Sequence, residues 1–241
     1  MARVILLFVI TMAAIPMVTF SQKKTFFGIE AAVTGDIYKI EDNANEIKKT
    51  PITSGIWGFT IKQELTNDLF LETGLTRKYY SEGVNFEKIS TVSSHNAINA
   101  WLIPIRFGTF LNLSKNKILL VPLVGYNFCI NSDYGYGDGS GFVTEANGST
   151  VNYSYTSNYN LAKTFSLLQT GIGLEFTLFK TAAISVNSNY YFGLKKVIVL
   201  NIDYSINNSG NQSAQASSKG NMISLGLQAK YPITKFWSKY K

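Results

Sequence analysis

The sequence predicts an all-β fold, an eight-stranded antiparallel up-and-down transmembrane β-barrel. Three observations lead there. Segments with period-2 alternation of apolar and polar residues recur along the chain. The connections between them alternate strictly between short and long. Past the N-terminal segment, no run reaches the ~18 consecutive apolar residues of a membrane-spanning helix.

The chain opens with Met1-Ala2-Arg3, an apolar run over Val4–Val18, and small residues at Thr19 and Ser21 before Gln22. This is the layout of a secretory signal peptide, expected over residues 1–21, with an outer-membrane barrel domain over 22–241. An uncleaved anchor is the alternative, but the run is short for a spanning helix.

The first alternating segment is Phe26–Ile40, with Phe27, Ile29, Ala31 and Val33 opposite Gly28, Glu30, Ala32 and Thr34. Gly55–Leu65 sets Trp57, Phe59 and Ile61 against Gly58, Thr60 and Lys62. Leu69–Tyr80 sets Leu69, Leu71 and Leu75 against Glu72, Gly74, Thr76 and Lys78. Trp101–Ile130 reads as a hairpin and supplies two strands. In its first half Trp101, Ile103, Ile105 and Phe107 share one face, opposite Leu102, Pro104, Arg106 and Gly108. Phe165–Phe179 opposes Leu168, Ile172, Leu174 and Phe176 to Gln169, Gly171, Gly173 and Glu175. Ala182–Leu200 opposes Ile184, Val186 and Tyr190 to Ser185, Asn187 and Asn189. Met222–Ile233 closes the series, with Ile223, Leu225 and Leu227 opposite Ser224, Gly226 and Gln228.

The short connections are Thr66–Asp68, Asn112–Lys117 and Phe179–Thr181. The long ones are Glu41–Ser54, Ser81–Asn96, Asn131–Thr164 and Val197–Asn221. Short periplasmic turns and long extracellular loops give this pattern in a barrel. A Greek-key sandwich has no reason to sort its connections by length. Within the third loop, Asn147-Gly148 between apolar residues signals a type I′ hairpin and a ribbon reaching beyond the membrane. Asn207–Lys219 (NNSGNQSAQASSK) reads as a low-complexity loop. Pro104 and Pro122 cannot donate to the ladder, so a bulge is expected at one of them.

In a barrel of eight strands the lumen is just wide enough for side chains to fill it. Glu30, Glu72, Arg106 and Glu175 are therefore expected as a lumen network centred on Arg106, with at least one glutamate as its partner. The alternative is a hydrated lumen in which they stay unpaired. Trp101, Ile103, Ile105, Phe107, Leu225 and Leu227 are expected to face lipid. Glycines concentrate on the inner face, where strong curvature needs small residues.

The formal net charge is +7, or +6 once Arg3 leaves with the signal peptide. For an exported chain this points away from nucleic acid and toward anionic head groups, or toward ordinary solvated turns. Lysines group at the short-turn end (Lys23, Lys24, Lys115, Lys117, Lys180, Lys235, Lys239, Lys241). A second basic set (Lys39, Arg77, Lys163, Lys195, Lys196) falls near the long loops. Trp57, Tyr79, Tyr80, Trp101, Tyr190, Phe236 and Trp237 suit interfacial girdles. Cys129 is the single cysteine, so no internal disulfide forms. His95, beside Ser93 and Ser94, is the single histidine; with Glu82 or Glu87 it would be the minimum for a Ser/His lipid hydrolase. It reads more simply as a loop residue. No catalytic residue, metal site or cofactor is expected.

Several pieces resemble a known family. Phe20-Ser21-Gln22, Trp101–Ile105 (WLIPI), Leu168–Glu175 (LQTGIGLE), Tyr190–Leu194 (YYFGL) and Ile223–Tyr231 (ISLGLQAKY) are similar to the PorT-like outer-membrane β-barrel family of the Bacteroidetes. The resemblance spans most of the mature chain. It implies a barrel in the bacterial cell outer membrane and no shared catalytic residues. The chain departs from many such barrels by continuing past Tyr231 to Lys241. The expected protein is a non-enzymatic monomer that exposes four loops, with an envelope-structural, surface-interaction or adhesion role. Its expected partners are outer-membrane lipids, lipopolysaccharide and, during biogenesis, the barrel-assembly machinery. A narrow pore or transporter of small hydrophobic molecules is the second reading, and a lipid-modifying enzyme the third.

Overall fold

The computed structural model describes residues 24–48, 52–82, 85–86, 96–114, 118–132, 136–144, 150–178, 182–207 and 210–233. The expected signal peptide, His95, Asn147-Gly148 and residues 234–241 lie outside them. Eight strands close a barrel: β1 (Thr25–Asp36), β2 (Ile52–Glu64), β3 (Leu69–Glu82), β4 (Asn96–Thr109), β5 (Ile118–Asn131), β6 (Thr164–Leu178), β7 (Ala182–Gly193) and β8 (Met222–Pro232). Each pairs antiparallel with its sequence neighbour, and β8 returns to β1 from Phe26↔Pro232 to Asp36↔Met222. Closure leaves no free ladder edge, which is how a chain without disulfides satisfies its backbone in lipid.

Two strands are shorter than their alternation suggests. The first ends at Asp36 rather than Ile40, and the seventh ends at Gly193 rather than Leu200. Gly193 is where the returning fourth loop crosses. Its N–H donates to Asn221 Oδ1 at 2.7 Å, and the Lys219 carbonyl fills the space that a Cβ would need. Alternation resumes beyond each break, but in a different sheet.

That second sheet stands at the long-loop end. Its strand order is Tyr136–Thr144, Thr150–Leu161, Ile198–Ile206, Gln212–Ser218 and Lys39–Asp42. Three of the four long connections contribute to it. The second connection supplies Asn85–Phe86, which pairs with Ile47–Lys48 of the first. The expected ribbon is present, paired from Tyr136↔Asn158 to Thr144↔Thr150. The expectation of a plain loop over Asn207–Lys219 is corrected: Gln212–Ser218 is an inner strand. Its small residues face large ones across the ladder, Ala214 against Ile202 and Ala216 against Leu200. The neighbour supplies the hydrophobicity that this segment lacks, so its own composition does not announce a strand.

No bulge forms at either proline. The β4 register with β5 runs unbroken through Pro104, and the β5 register with β6 runs unbroken through Pro122. On the β3 side two rungs around Pro104 are missing while the register is kept, and Thr73 Oγ1 donates to the Pro104 carbonyl at 2.9 Å. The irregularity falls instead at Asn112/Ser114, where Leu111–Ser114 approaches the turn into β5.

Gly58 and Gly74 face inward on the adjacent strands β2 and β3. A Cβ on Gly58 would collide with the Leu75 carbonyl and the Thr76 backbone, and one on Gly74 with the Phe59 carbonyl. Only glycine permits that approach of two backbones.

Candidate functional site

The inward-facing side chains stack in three layers. In the middle layer Arg106, 4 % exposed, makes four donations. Its Nη1 reaches Glu30 Oε2 at 2.7 Å and Glu72 Oε1 at 2.8 Å, its Nη2 reaches Glu30 Oε1 at 2.9 Å, and its Nε reaches Gln169 Oε1 at 3.1 Å. Gln228 bridges Glu72 Oε2 (2.9 Å) and Thr60 (2.8 Å). Asn127 donates to Gln169 at 3.2 Å, Gln169 to Asn189 at 3.0 Å, and Asn189 to Ser224 at 3.3 Å. This single connected network draws a side chain from each of the eight strands. It crosses the lumen as a polar plug.

Glu175 sits apart from Arg106. It belongs to the layer nearer the short turns, where Lys62 approaches it at 3.1 Å and Lys230 at 2.6 Å. The Lys62 ammonium also lies 5.0, 5.2 and 4.6 Å from the ring centres of Phe26, Phe70 and Phe110. A buried cation with one carboxylate shared between two lysines gains further stabilisation from those ring faces. The four residues expected as one network are therefore split three to one.

The layer nearest the loops is mostly apolar, which alternation on a polar face does not suggest. Ile56, Ala100, Leu102, Cys129, Leu167, Tyr191 and Met222 pack together inside the barrel. Tyr38, Val197 and Ile198 descend on them from the loops. Beside this cluster Lys78, fully buried, donates to Asp36 Oδ2 at 2.9 Å, to Thr34 at 2.7 Å and to Ser54. A small cavity remains near Glu30, bordered by Asn187, Asn189, Tyr191 and Ser224.

The outer sheet has a separate core of Val151, Leu200, Ile202, Tyr204, Ile206, Ala214 and Ala216, joined by Ile47. Alternate residues of Ile198–Ile206 are buried throughout. The face that begins on the lumen cap at Ile198 thus continues into the sheet core. Asp42 organises the turn that follows the sheet's edge strand. It accepts from the N–H groups of Ala44 (3.1 Å), Glu46 (2.8 Å) and Ile47 (2.9 Å), and from the Tyr204 hydroxyl (2.8 Å). Partial burial opposes its ionisation, but these donors outweigh burial and hold the carboxyl below its ordinary value of 3.8.

On the exterior Trp101, Ile105, Phe107, Leu225 and Leu227 are exposed, the last two by about 60 %. Ile103 is a correction: it is only 8 % exposed. It shares the outward parity of the exposed Trp101 and Ile105, and its cross-strand partner on β5 is Phe128. Trp57, Tyr79 and Tyr190 also face outward near the long-loop end, whereas Phe236 and Trp237 lie outside the described residues. Exposed apolar side chains encircle the barrel from Phe27 on β1 to Tyr231 on β8. A soluble protein does not present such a belt to water. With charges inside and hydrocarbon outside, the closed barrel is built to sit in lipid.

No protein-family model matches the chain, and no curated protein does. Among solved structures it is similar to the outer membrane protein OprG from Pseudomonas aeruginosa, at 10 % identity over 87 % of this chain and 96 % of that one, with a TM-score of 0.51. The fold is that of a bacterial outer-membrane β-barrel. The N-terminal barrel domain of OprF from the same organism (10 % identity, 87 % and 100 % covered, TM-score 0.40) is a looser likeness. So is Ail, the attachment invasion locus protein of Yersinia pestis (11 % identity, 87 % and 99 % covered, TM-score 0.37).

Proposed function

We propose that this outer-membrane barrel is a non-enzymatic, non-conducting anchor that holds a folded extracellular β-sheet at the cell surface for interaction or adhesion. The observation that carries this reading is the way three loops pool their strands into one sheet with its own apolar core, seated on the capped end of the lumen. Loops that merely joined strands would not need a core. The eight-strand polar plug supports the non-conducting part. Inside the barrel the carboxylates Asp36, Glu30, Glu72 and Glu175 are paired with the cations Lys78, Arg106, Lys62 and Lys230. These charges are engaged with one another rather than free to draw an ion through. The resemblance to PorT-like barrels, which share no active site, supports the non-enzymatic part. Membrane lipids and lipopolysaccharide are the partners of its belt, and the barrel-assembly machinery its partner during insertion.

Two measurements test the reading together. In planar bilayers the intact protein is expected to give no discrete conductance steps; steps in the wild type would favour the transport reading. Outer-membrane vesicles carrying the protein are expected to bind a matrix-protein or glycan array. A variant lacking residues 137–157 should lose that binding while keeping the heat-shifted gel mobility of a folded barrel. Equal binding by both vesicle types would remove the display role.

A further inference from the structure

One charge breaks the separation of polar inside from apolar outside. Among the described residues of the eight strands, Arg77 is the single charged residue in an outward-facing position. Odd-numbered residues of β3 point outward, as the half-exposed Leu69, Leu71, Leu75 and Tyr79 show, while Glu72, Thr76 and Lys78 are buried inside. Arg77 pairs directly with Trp57 on β2 and with Trp101 on β4. Both tryptophans are exposed on the outside. Its guanidinium carbon lies 5.0 Å from the Tyr79 ring centre and 5.5 Å from that of Trp101. Its Nε is buried and has no hydrogen-bond partner, and no carboxylate pairs with it among the described residues.

Arg77 stands eight residues above Leu69, at the start of β3. At ~3.3 Å per residue and a tilt of about 40°, that is roughly 20 Å along the membrane normal. An apolar band about 25 Å tall therefore ends close to this level, on the side of the long loops. The row Trp57-Arg77-Trp101, with Tyr79 beside it, is a stretch of the outer aromatic girdle with a cation set into it. A guanidinium held against aromatic faces is desolvated on its flat sides and keeps its N–H edge for an acceptor in the plane. Within the barrel the buried cations Lys62, Lys78, Arg106 and Lys230 each have a carboxylate, and among the described residues Arg77 has none.

We propose that Arg77, framed by Trp57, Tyr79 and Trp101, is a binding site for the phosphate of a lipid head group in the outer leaflet. The phosphate comes from lipid A or from a glycerophospholipid, since both offer the same oxygens to the guanidinium fork. The site rests on the outer-membrane reading given above and sharpens it to one position. Phosphate held here ties β2, β3 and β4 to the leaflet on the face where the β3–β4 ladder lacks two rungs.

The test uses the full-length protein folded in detergent micelles and native mass spectrometry of retained lipid. The probes are bisphosphorylated lipid A, the same lipid dephosphorylated, and phosphatidylglycerol. Wild type is expected to retain bisphosphorylated lipid A at least ten-fold better than the dephosphorylated form. Arg77→Gln should lose that discrimination and Arg77→Lys should keep part of it, with heat-shifted mobility showing both variants folded. Retention of phosphatidylglycerol equal to that of lipid A, again lost in Arg77→Gln, would identify the glycerophospholipid as a source. Undiminished retention of bisphosphorylated lipid A by folded Arg77→Gln overturns the proposal, as does wild type that fails to distinguish the two lipid A forms. The outer-membrane reading has its own test, because fractionation of the wild type away from the outer membrane would sink that reading whatever the lipid result.

Discussion

The barrel and the sheet above it are both antiparallel β-structure cut from one chain, yet each hides what the other shows. The barrel buries Arg106, Lys62, Lys78, Glu72 and Glu175 and exposes Ile29, Val33, Ile172 and Leu225. The sheet buries Ile202, Leu200 and Tyr204 and exposes Asp203, Ser213 and Asn152. The backbone is the same in both, and the solvent differs. Hydrocarbon cannot drive apolar residues inward, so the barrel gains its specificity from ion pairs and hydrogen bonds inside. Water does drive them inward, so the sheet behaves as a small soluble domain. The boundary runs through the cluster of Leu102, Cys129, Tyr191, Val197 and Ile198, where apolar residues of the barrel strands meet apolar residues from the loops.

The contrast can be broken most severely in the barrel. Arg106→Ala leaves Glu30 and Glu72 buried without their cation, and is expected to cost about 3–5 kcal/mol, the range for stripping one partner from a buried pair. Urea unfolding in micelles, read by heat-shifted mobility, checks this; a loss below ~1 kcal/mol would mean that water takes over the role of the guanidinium. Next comes the sheet. Ile202→Ala removes a fully buried side chain at its centre and should cost roughly 2–4 kcal/mol locally. Hydrogen exchange should rise across Ile198–Ile206 and Thr150–Leu161 while β1–β8 keep their protection. Exchange that rises equally in the barrel would show that the two regions unfold as one.

Smaller effects sharpen the seam between them. Tyr204→Phe removes one donor to Asp42 and is expected to loosen the Asp42–Ile47 turn by about 1 kcal/mol, seen as faster exchange of the Ile47 amide. The smallest effect is a pH dependence. Asp42 has its folded pKa held down, so its contribution to the turn is complete above the ordinary carboxylate value of 3.8 and is lost as pH falls through the lower folded value. Peak positions for Ala44, Glu46 and Ile47 should therefore hold steady through neutral and mildly acidic pH and move only in strong acid. Movement beginning near pH 5 would contradict the depressed value.

Much of the barrel was legible because period 2 is the only periodicity that a strand with two different faces allows, and eight segments carry it. The inner assignment of Glu30, Glu72, Arg106 and Glu175 follows from the same parity. Which of them meet does not follow, since partnership depends on stagger around a closed sheet. That stagger brings Glu30 and Glu72 to Arg106 and takes Glu175 to Lys62 and Lys230. Gln169 and Gln228 were visible as inward residues, but their role as bridges was not. Arg77 was legible too: it is the charge on the wrong parity of Leu69–Tyr80, and parity alone would have set it apart from the other basic residues near the loops.

The outer sheet was the least legible part. Alternation over Ala182–Leu200 runs past Gly193 to Lys195 before Lys196 and the apolar run Val197–Leu200 interrupt it, so Gly193 itself does not mark the passage from the barrel to the outer sheet. Gln212–Ser218 has too little apolar content to read as a strand, and it becomes one only against Ile202 and Leu200.

By itself, then, the sequence determined the class of fold, the number of barrel strands, which end carries the loops, and which parity faces lipid. These are local consequences of side-chain alternation and of connection length. Tertiary structure alone decided that the lumen is crossed by one network with a member from every strand, that its outer third is apolar, and that three loops merge into a sheet. Each of these depends on residues far apart in the chain meeting at a distance fixed by barrel closure, and no local pattern encodes that distance.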